Sequence, residues 1–126
     1  MARTIFTRGQ LESELSKSIT RLEKEQMGRG PLETRTFIVE DMIVVRMRGI
    51  LTPAELQLGK QGKNPSTREL IKRFRIELLE SERTTLESVV RTLTRRRVRS
   101  LHVDVSTAHD EKIIVMTLDR APEIES

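Results

Sequence analysis

Leu11, Leu15, Ile19 and Leu22 recur at helical spacing, and Glu12, Glu14, Lys17, Arg21, Glu23 and Lys24 occupy much of the surface between them. This pattern predicts an amphipathic helix that buries one stripe. Thr7 and Gln10 fit a capping box at its start. Gly28 can take the left-handed conformation that ends it, and Pro31, without an amide hydrogen, forbids continuation. The period then changes from helical to alternating. Leu32 to Glu40 reads as an extended segment and Met42 to Ile50 as its antiparallel partner. Glu40-Asp41 forms the turn, although it lacks the Asn-Gly signature of the tightest hairpins. In the second strand Ile43, Val45 and Met47 share one face, while Val44, Arg46 and Arg48 share the other. One face therefore packs and the other is at least partly polar.

Thr52-Pro53-Ala54-Glu55 is the strongest local signal. Thr52 caps, Pro53 takes the first helical position, and Glu55 closes the box. Gly59 is expected to end this short helix, with a polar loop from Gly59 to Pro65. Ser66 and Glu69 suggest another box, opening a long helix to about Thr94. Its apolar positions include Leu70, Ile71, Phe74, Leu78, Leu79, Leu86, Val89, Val90 and Leu93. The early members point in a different direction from the late ones at about 100° per residue. The helix therefore bends near Ser81 to Thr85, or its halves bury against different partners, one of which could be a second subunit. Leu101, Val103 and Val105 alternate with His102, Asp104 and Ser106 as a strand with one wet face. Thr107 to Asp110 turns the chain, and Ile113 to Leu118 forms the last strand.

Paired strands separated by helices imply an α+β class. The expected architecture is an antiparallel sheet of two β-hairpins covered by helices, in the order α-β-β-α-α-β-β. It forms a single domain over 1–126, with loose ends at about 1–6 and 120–126.

Composition narrows the function classes. The chain has 126 residues and no cysteine, which excludes disulfides and thiolate chemistry and suits a reducing cytoplasm. No apolar run approaches the roughly 20 residues of a membrane span. Lys and Arg number 23 against 19 Asp and Glu, a formal charge of +4, with both signs mixed along helices in the manner of a solvated surface. There is no Trp or Tyr, and the rings are Phe6, Phe37 and Phe74. Single-stranded nucleic acids are bound by stacking bases on exposed rings, so nucleic-acid binding is not the favoured reading.

Two groups of residues are candidates for chemistry. Arg29, Arg46, Arg48, His102 and Asp104 form a candidate anion-binding set. His102 and Asp104 share one strand face, and Arg46 and Arg48 reach Asp104 if the two hairpins join in one sheet. The plainer account is a polar strand face with a cross-strand ion pair. Arg95, Arg96, Arg97 and Arg99 form a candidate polyanion contact at a helix C-terminus, where cations also complement the helix dipole. His109, beside Asp110, reads as an exposed turn residue. Two histidines without cysteines fall short of a zinc set, and no nucleophile elbow, Walker sequence or dinucleotide fingerprint occurs. Neither a catalytic residue, a metal nor a cofactor is expected.

Taken in order, these motifs resemble a bacterial family named after MpsC, a component of a sodium-translocating, membrane-potential-generating system. The matching features are Gly28-Arg29-Gly30-Pro31, Ile43-Val44-Val45, Gly49 to Glu55, the Arg-rich helix from Arg68, and His102-Val103-Asp104 followed by Ile113 to Leu118. They span roughly Leu11 to Asp119. The resemblance implies a small protein accompanying membrane proteins of ion or inorganic-carbon uptake, and it transfers no catalytic residues. The expected function is thus a non-enzymatic, cytoplasmic accessory or regulatory protein, a homodimer, peripheral at the membrane through a transport-protein partner. The alternatives are nucleic-acid binding through Arg95 to Arg99 and a small-anion sensor.

Overall fold

A computed structural model describes residues 5–61 and 65–125. Their elements run α1 (Arg8–Met27), β1 (Glu33–Val39), β2 (Met42–Arg48), α2 (Pro53–Gln61), α3 (Pro65–Ser81), α4 (Arg83–Thr94), β3 (Val98–Ser106) and β4 (Glu111–Leu118). The fold is α+β, with one antiparallel sheet in the order β1-β2-β4-β3. The two hairpins meet through their second strands, with Val45 opposite Ile114 and Ile43 opposite Met116.

The capping chemistry explains most element boundaries. At the start of α1 the Gln10 amide donates to Thr7 Oγ1 at 3.2 Å, and the Thr7 amide donates to Gln10 Oε1 at 3.0 Å. Gly28 ends the helix at φ 77°. The Thr52–Glu55 box closes in the same way, at 2.9 and 3.2 Å. Gly59 does not stop α2, which continues to Gln61. A helical glycine costs about 1 kcal/mol against alanine, a penalty rather than a break. Helix α3 opens on Pro65, one residue before the expected cap at Ser66, as suits a proline at the first helical position. The intervening part of the expected loop, like residues 1–4 and 126 of the expected loose ends, lies outside the described residues.

The predicted long helix is two helices. Glu82 leaves helical geometry at φ −104° and ψ 10°. Helix α3 buries Ile71 and Leu79, whereas α4 buries Leu86 and Val90. The first packs against β3 and α2, the second against α1 and β3. The drifting apolar stripe thus reflects two different packing partners within one chain.

One face of the sheet carries the core. Ile38, Ile43, Val45, Met47, Ile114, Met116, Leu118 and Val105 pack with Leu11, Leu15 and Ile19 of α1 and with Leu86 and Val90 of α4. Full burial of each such side chain contributes about 1.5–3 kcal/mol. Side-chain hydrogen bonds fasten α1 along β1: Ser16 to Thr36 at 2.7 Å and Thr20 to Thr34 at 2.8 Å. Glu12 Oε2 accepts the Ile38 amide at 2.8 Å. An edge amide is thereby occupied by a carboxylate, which discourages strand addition there. At the other end of the chain Arg96 Nε donates to the Ala121 carbonyl at 2.9 Å, and the Glu125 amide donates to the Phe6 carbonyl at 2.8 Å. Residues 121–125 therefore lie against the body of the domain.

Gly49 links β2 to α2 at φ 68°, and a Cβ built there would lie 2.5 Å from Leu32 Cγ. The left-handed backbone disfavours any side chain, and the contact forces Leu32 to move. Gly49→Ala is expected to destabilise by about 1–3 kcal/mol in urea unfolding. Adding Leu32→Ala is expected to restore only part, because the Leu32 Cβ itself lies 2.7 Å from that position.

Candidate functional site

The face of the sheet opposite the core holds several predicted site residues. Arg46 and Arg48 of β2 project there, as do His102 and Asp104 of β3. They do not meet, because β4 lies between: Arg46 pairs across with Ile113, and Ile113 pairs with Asp104. Two strand spacings separate them, about 10 Å of backbone. Each charged group has a nearer partner. Arg46 donates to Glu111, Arg48 lies 3.8 Å from Glu33, and Lys72 of α3 lies 2.8 Å from Asp104. The hydrogen bond from Lys72 holds the Asp104 carboxyl below its ordinary value and raises the lysine in turn. His102 Nε2 lies 3.3 Å from Ser100 Oγ. Arg29 sits in the connection between α1 and β1, outside these strands.

Between these pairs the face is apolar. Met42, Val44, Ile113 and Val115 are half-buried, and no outward residue of the two central strands is fully covered. Phe37 and Val39 on β1 are 41% and 48% exposed, with the Arg35 guanidinium 5.6 Å from the Phe37 ring centroid.

The basic run also divides. Arg96 is buried at 7% exposure and clasps the C-terminal segment. Arg95 is the left-handed cap of α4, at φ 59°. The Arg97 and Asp119 backbones are tied, by an Asp119 amide to Arg97 carbonyl bond of 2.9 Å. Arg95, Arg97 and Arg99 are exposed.

The strongest electrostatic feature is one that sequence reading missed. Arg75, Glu23 and Lys112 are 1%, 4% and 2% exposed. Arg75 Nη1 donates to Glu23 Oε1 at 2.9 Å, and Lys112 Nζ donates to Glu23 Oε2 at 2.8 Å. The other edge of the guanidinium forks onto Glu55, with Nη2 to Oε1 at 2.6 Å and Nε to Oε2 at 3.0 Å. Nη2 also donates to the Ile50 carbonyl at 2.5 Å. Two cations and two anions from α1, α2, α3 and β4 thus neutralise one another, and no buried side-chain polar atom among the described residues lacks a partner. Burial acts to raise the Glu55 pKa, but hydrogen bonds from Arg75 and Thr52 outweigh it and hold the carboxyl below its ordinary 4.5.

A signal for this cluster was present. Glu23 follows Leu11, Leu15 and Ile19 at steps of four, Arg75 lies between Ile71 and Leu79 at the same step, and Lys112 alternates with Ile114, Met116 and Leu118. Each charge stands in phase with buried positions. With each of its buried charged atoms partnered, the cluster joins four elements.

Residues 7–120 match the family described as the Na+-translocating membrane potential-generating system (MpsC). The chain belongs to the MpsC family. A relative from Bacillus subtilis (strain 168), the uncharacterized protein YbcI, is 40% identical over 114 residues, covering 89% of this chain and 88% of its own length. No solved structure matches. The match to MpsC spans the buried cluster, the open sheet face and the basic run alike. Among the described residues no helix is long and apolar enough to cross a membrane. Nor does any group of three or more His, Asp or Glu there stand ready to hold a metal.

Proposed function

We propose that this MpsC-family protein is a non-enzymatic accessory or regulatory component of a membrane ion-translocating or inorganic-carbon uptake system, cytoplasmic and acting by contact as a homodimer. The observation that carries this reading is the open sheet face. Its centre of Met42, Val44, Ile113 and Val115 is apolar and half-buried, and the charges flanking it are already paired within the chain. Stacking two such faces about a two-fold axis lays apolar centre on apolar centre and buries no unpaired charge. The family description supplies the membrane-potential context.

Light scattering across a concentration series is expected to give twice the chain mass, and Val44→Asp with Val115→Asp is expected to give the monomer. A wild-type monomer at every concentration overturns the pairing. Affinity purification from native membranes is expected to retain a transporter subunit, and its absence from cross-linked preparations overturns the accessory role.

A further inference from the structure

Helix α4 and the start of β3 enclose an open groove of about 510 Å³ lined by Thr84, Glu87, Ser88, Arg91, Arg97 and Val98. Thr84, Ser88 and Arg91 lie on one flank of the helix, at successive turns. Arg97, between the end of α4 and the start of β3, joins them in the lining. Its backbone is held from both directions, since its amide donates to Asp119 Oδ1 at 3.2 Å and its carbonyl accepts from the Asp119 amide at 2.9 Å. Neither the Arg91 nor the Arg97 side chain has an ion pair or hydrogen bond among the described residues, and both residues are exposed.

One carboxylate lines the groove. Glu87 is engaged by Arg83, whose Nε donates to Glu87 Oε1 at 2.9 Å. That pair offsets the repulsion an incoming anion would otherwise meet. The negative end of the helix dipole is also partly covered, because the Arg95 amide caps the Arg91 carbonyl at 2.8 Å and Thr94 Oγ1 donates to the Val90 carbonyl at 2.7 Å. Two free guanidinium forks and two hydroxyls, converging on one concavity, suit a compact oxyanion with several acceptor oxygens.

We infer that this groove is a phosphate-binding site, with Arg91 and Arg97 as its charged donors and Ser88 and Thr84 as neutral ones. A free phosphate and the phosphate of an acidic lipid headgroup share this chemistry. The site is independent of the open sheet face and of pairing through it.

Calorimetric titration of the full chain with inorganic phosphate at low salt tests the assignment. Saturable binding is expected, weakened about tenfold or more by either Arg91→Gln or Arg97→Gln, since each removes a charged donor. Arg68→Gln on α3 makes the same change in net charge and is expected to leave binding unaltered. Circular dichroism melts confirm that the exposed-site variants fold. Sedimentation with phosphatidic acid vesicles, against phosphatidylcholine vesicles, separates the sources. Binding that requires Arg91 and Arg97 and is competed by phosphate assigns the headgroup, whereas phosphate binding without vesicle binding assigns the free ion. Absence of saturable phosphate binding overturns the site. So does an equal loss in Arg68→Gln, which would mark a bulk charge effect.

Discussion

Arg75→Ala is expected to cost about 3–5 kcal/mol of unfolding free energy, the range for breaking a buried ion pair by removing one partner. A domain of this size is stable by only about 5–15 kcal/mol, so the variant should lose a large share of its stability. The cause lies in what remains. Glu23 keeps Lys112, but Glu55 loses its fork and the Ile50 carbonyl loses a donor. Arg75→Lys retains the charge without the planar fork, and an intermediate loss is expected. Urea unfolding provides the measurement, and an alanine variant within about 1 kcal/mol of wild type would show that packing alone holds α3.

The same cluster sets an acid dependence. Because the folded pKa of Glu55 lies below its ordinary 4.5, its ionised form contributes stability that is fully present above that value. This contribution is lost as pH falls through the folded pKa. Arg75→Ala removes the main group that depresses it, so unfolding free energy should fall less steeply with acid in the variant than in wild type as pH drops below the ordinary 4.5. Equal slopes would place the acid sensitivity elsewhere.

Asp110→Ala is expected to destabilise by about 3 kcal/mol, from two hydrogen bonds to a charged acceptor that are lost together. Asp110 ends the β3–β4 turn at φ 50°, and its Oδ1 accepts the Ile50 amide at 2.9 Å and the Leu51 amide at 2.8 Å. Its own carbonyl accepts the Gly49 amide at 2.9 Å. One residue thereby fixes the path from β2 into α2, and both amides it serves belong to buried residues. Alanine leaves those amides without an acceptor and is strained at positive φ. Asn keeps an acceptor oxygen and tolerates that conformation, so Asp110→Asn should retain more than half of the lost stability. Chemical denaturation of both variants is the check, and equal losses would assign the effect to charge rather than to hydrogen-bond geometry.

Local rules were enough for most of the element boundaries. Thr7–Gln10, Gly28 and Thr52–Glu55 each satisfy backbone groups within a few residues, so spacing alone specified them. Alternation likewise assigned Ile43, Val45 and Met47 to one face of β2, and the α+β order followed from the succession of periods. What sequence spacing could not supply was the neighbour of each outward charge. Strand order put β4 between Arg46 and Asp104, and α3 brought Lys72 to the latter.

The chain by itself determined most of the element boundaries, which stripes are apolar, and the family to which it belongs, because those depend on contacts only a few residues long or on order along the chain. Only the tertiary structure decided that the long helix breaks at Glu82, that Glu23, Arg75, Glu55 and Lys112 form one buried neutral cluster, and that Arg91 and Arg97 share a groove. Charge pairing is a property of distance in space. Glu23 and Lys112 stand 89 positions apart, yet their charged atoms lie 2.8 Å from one another.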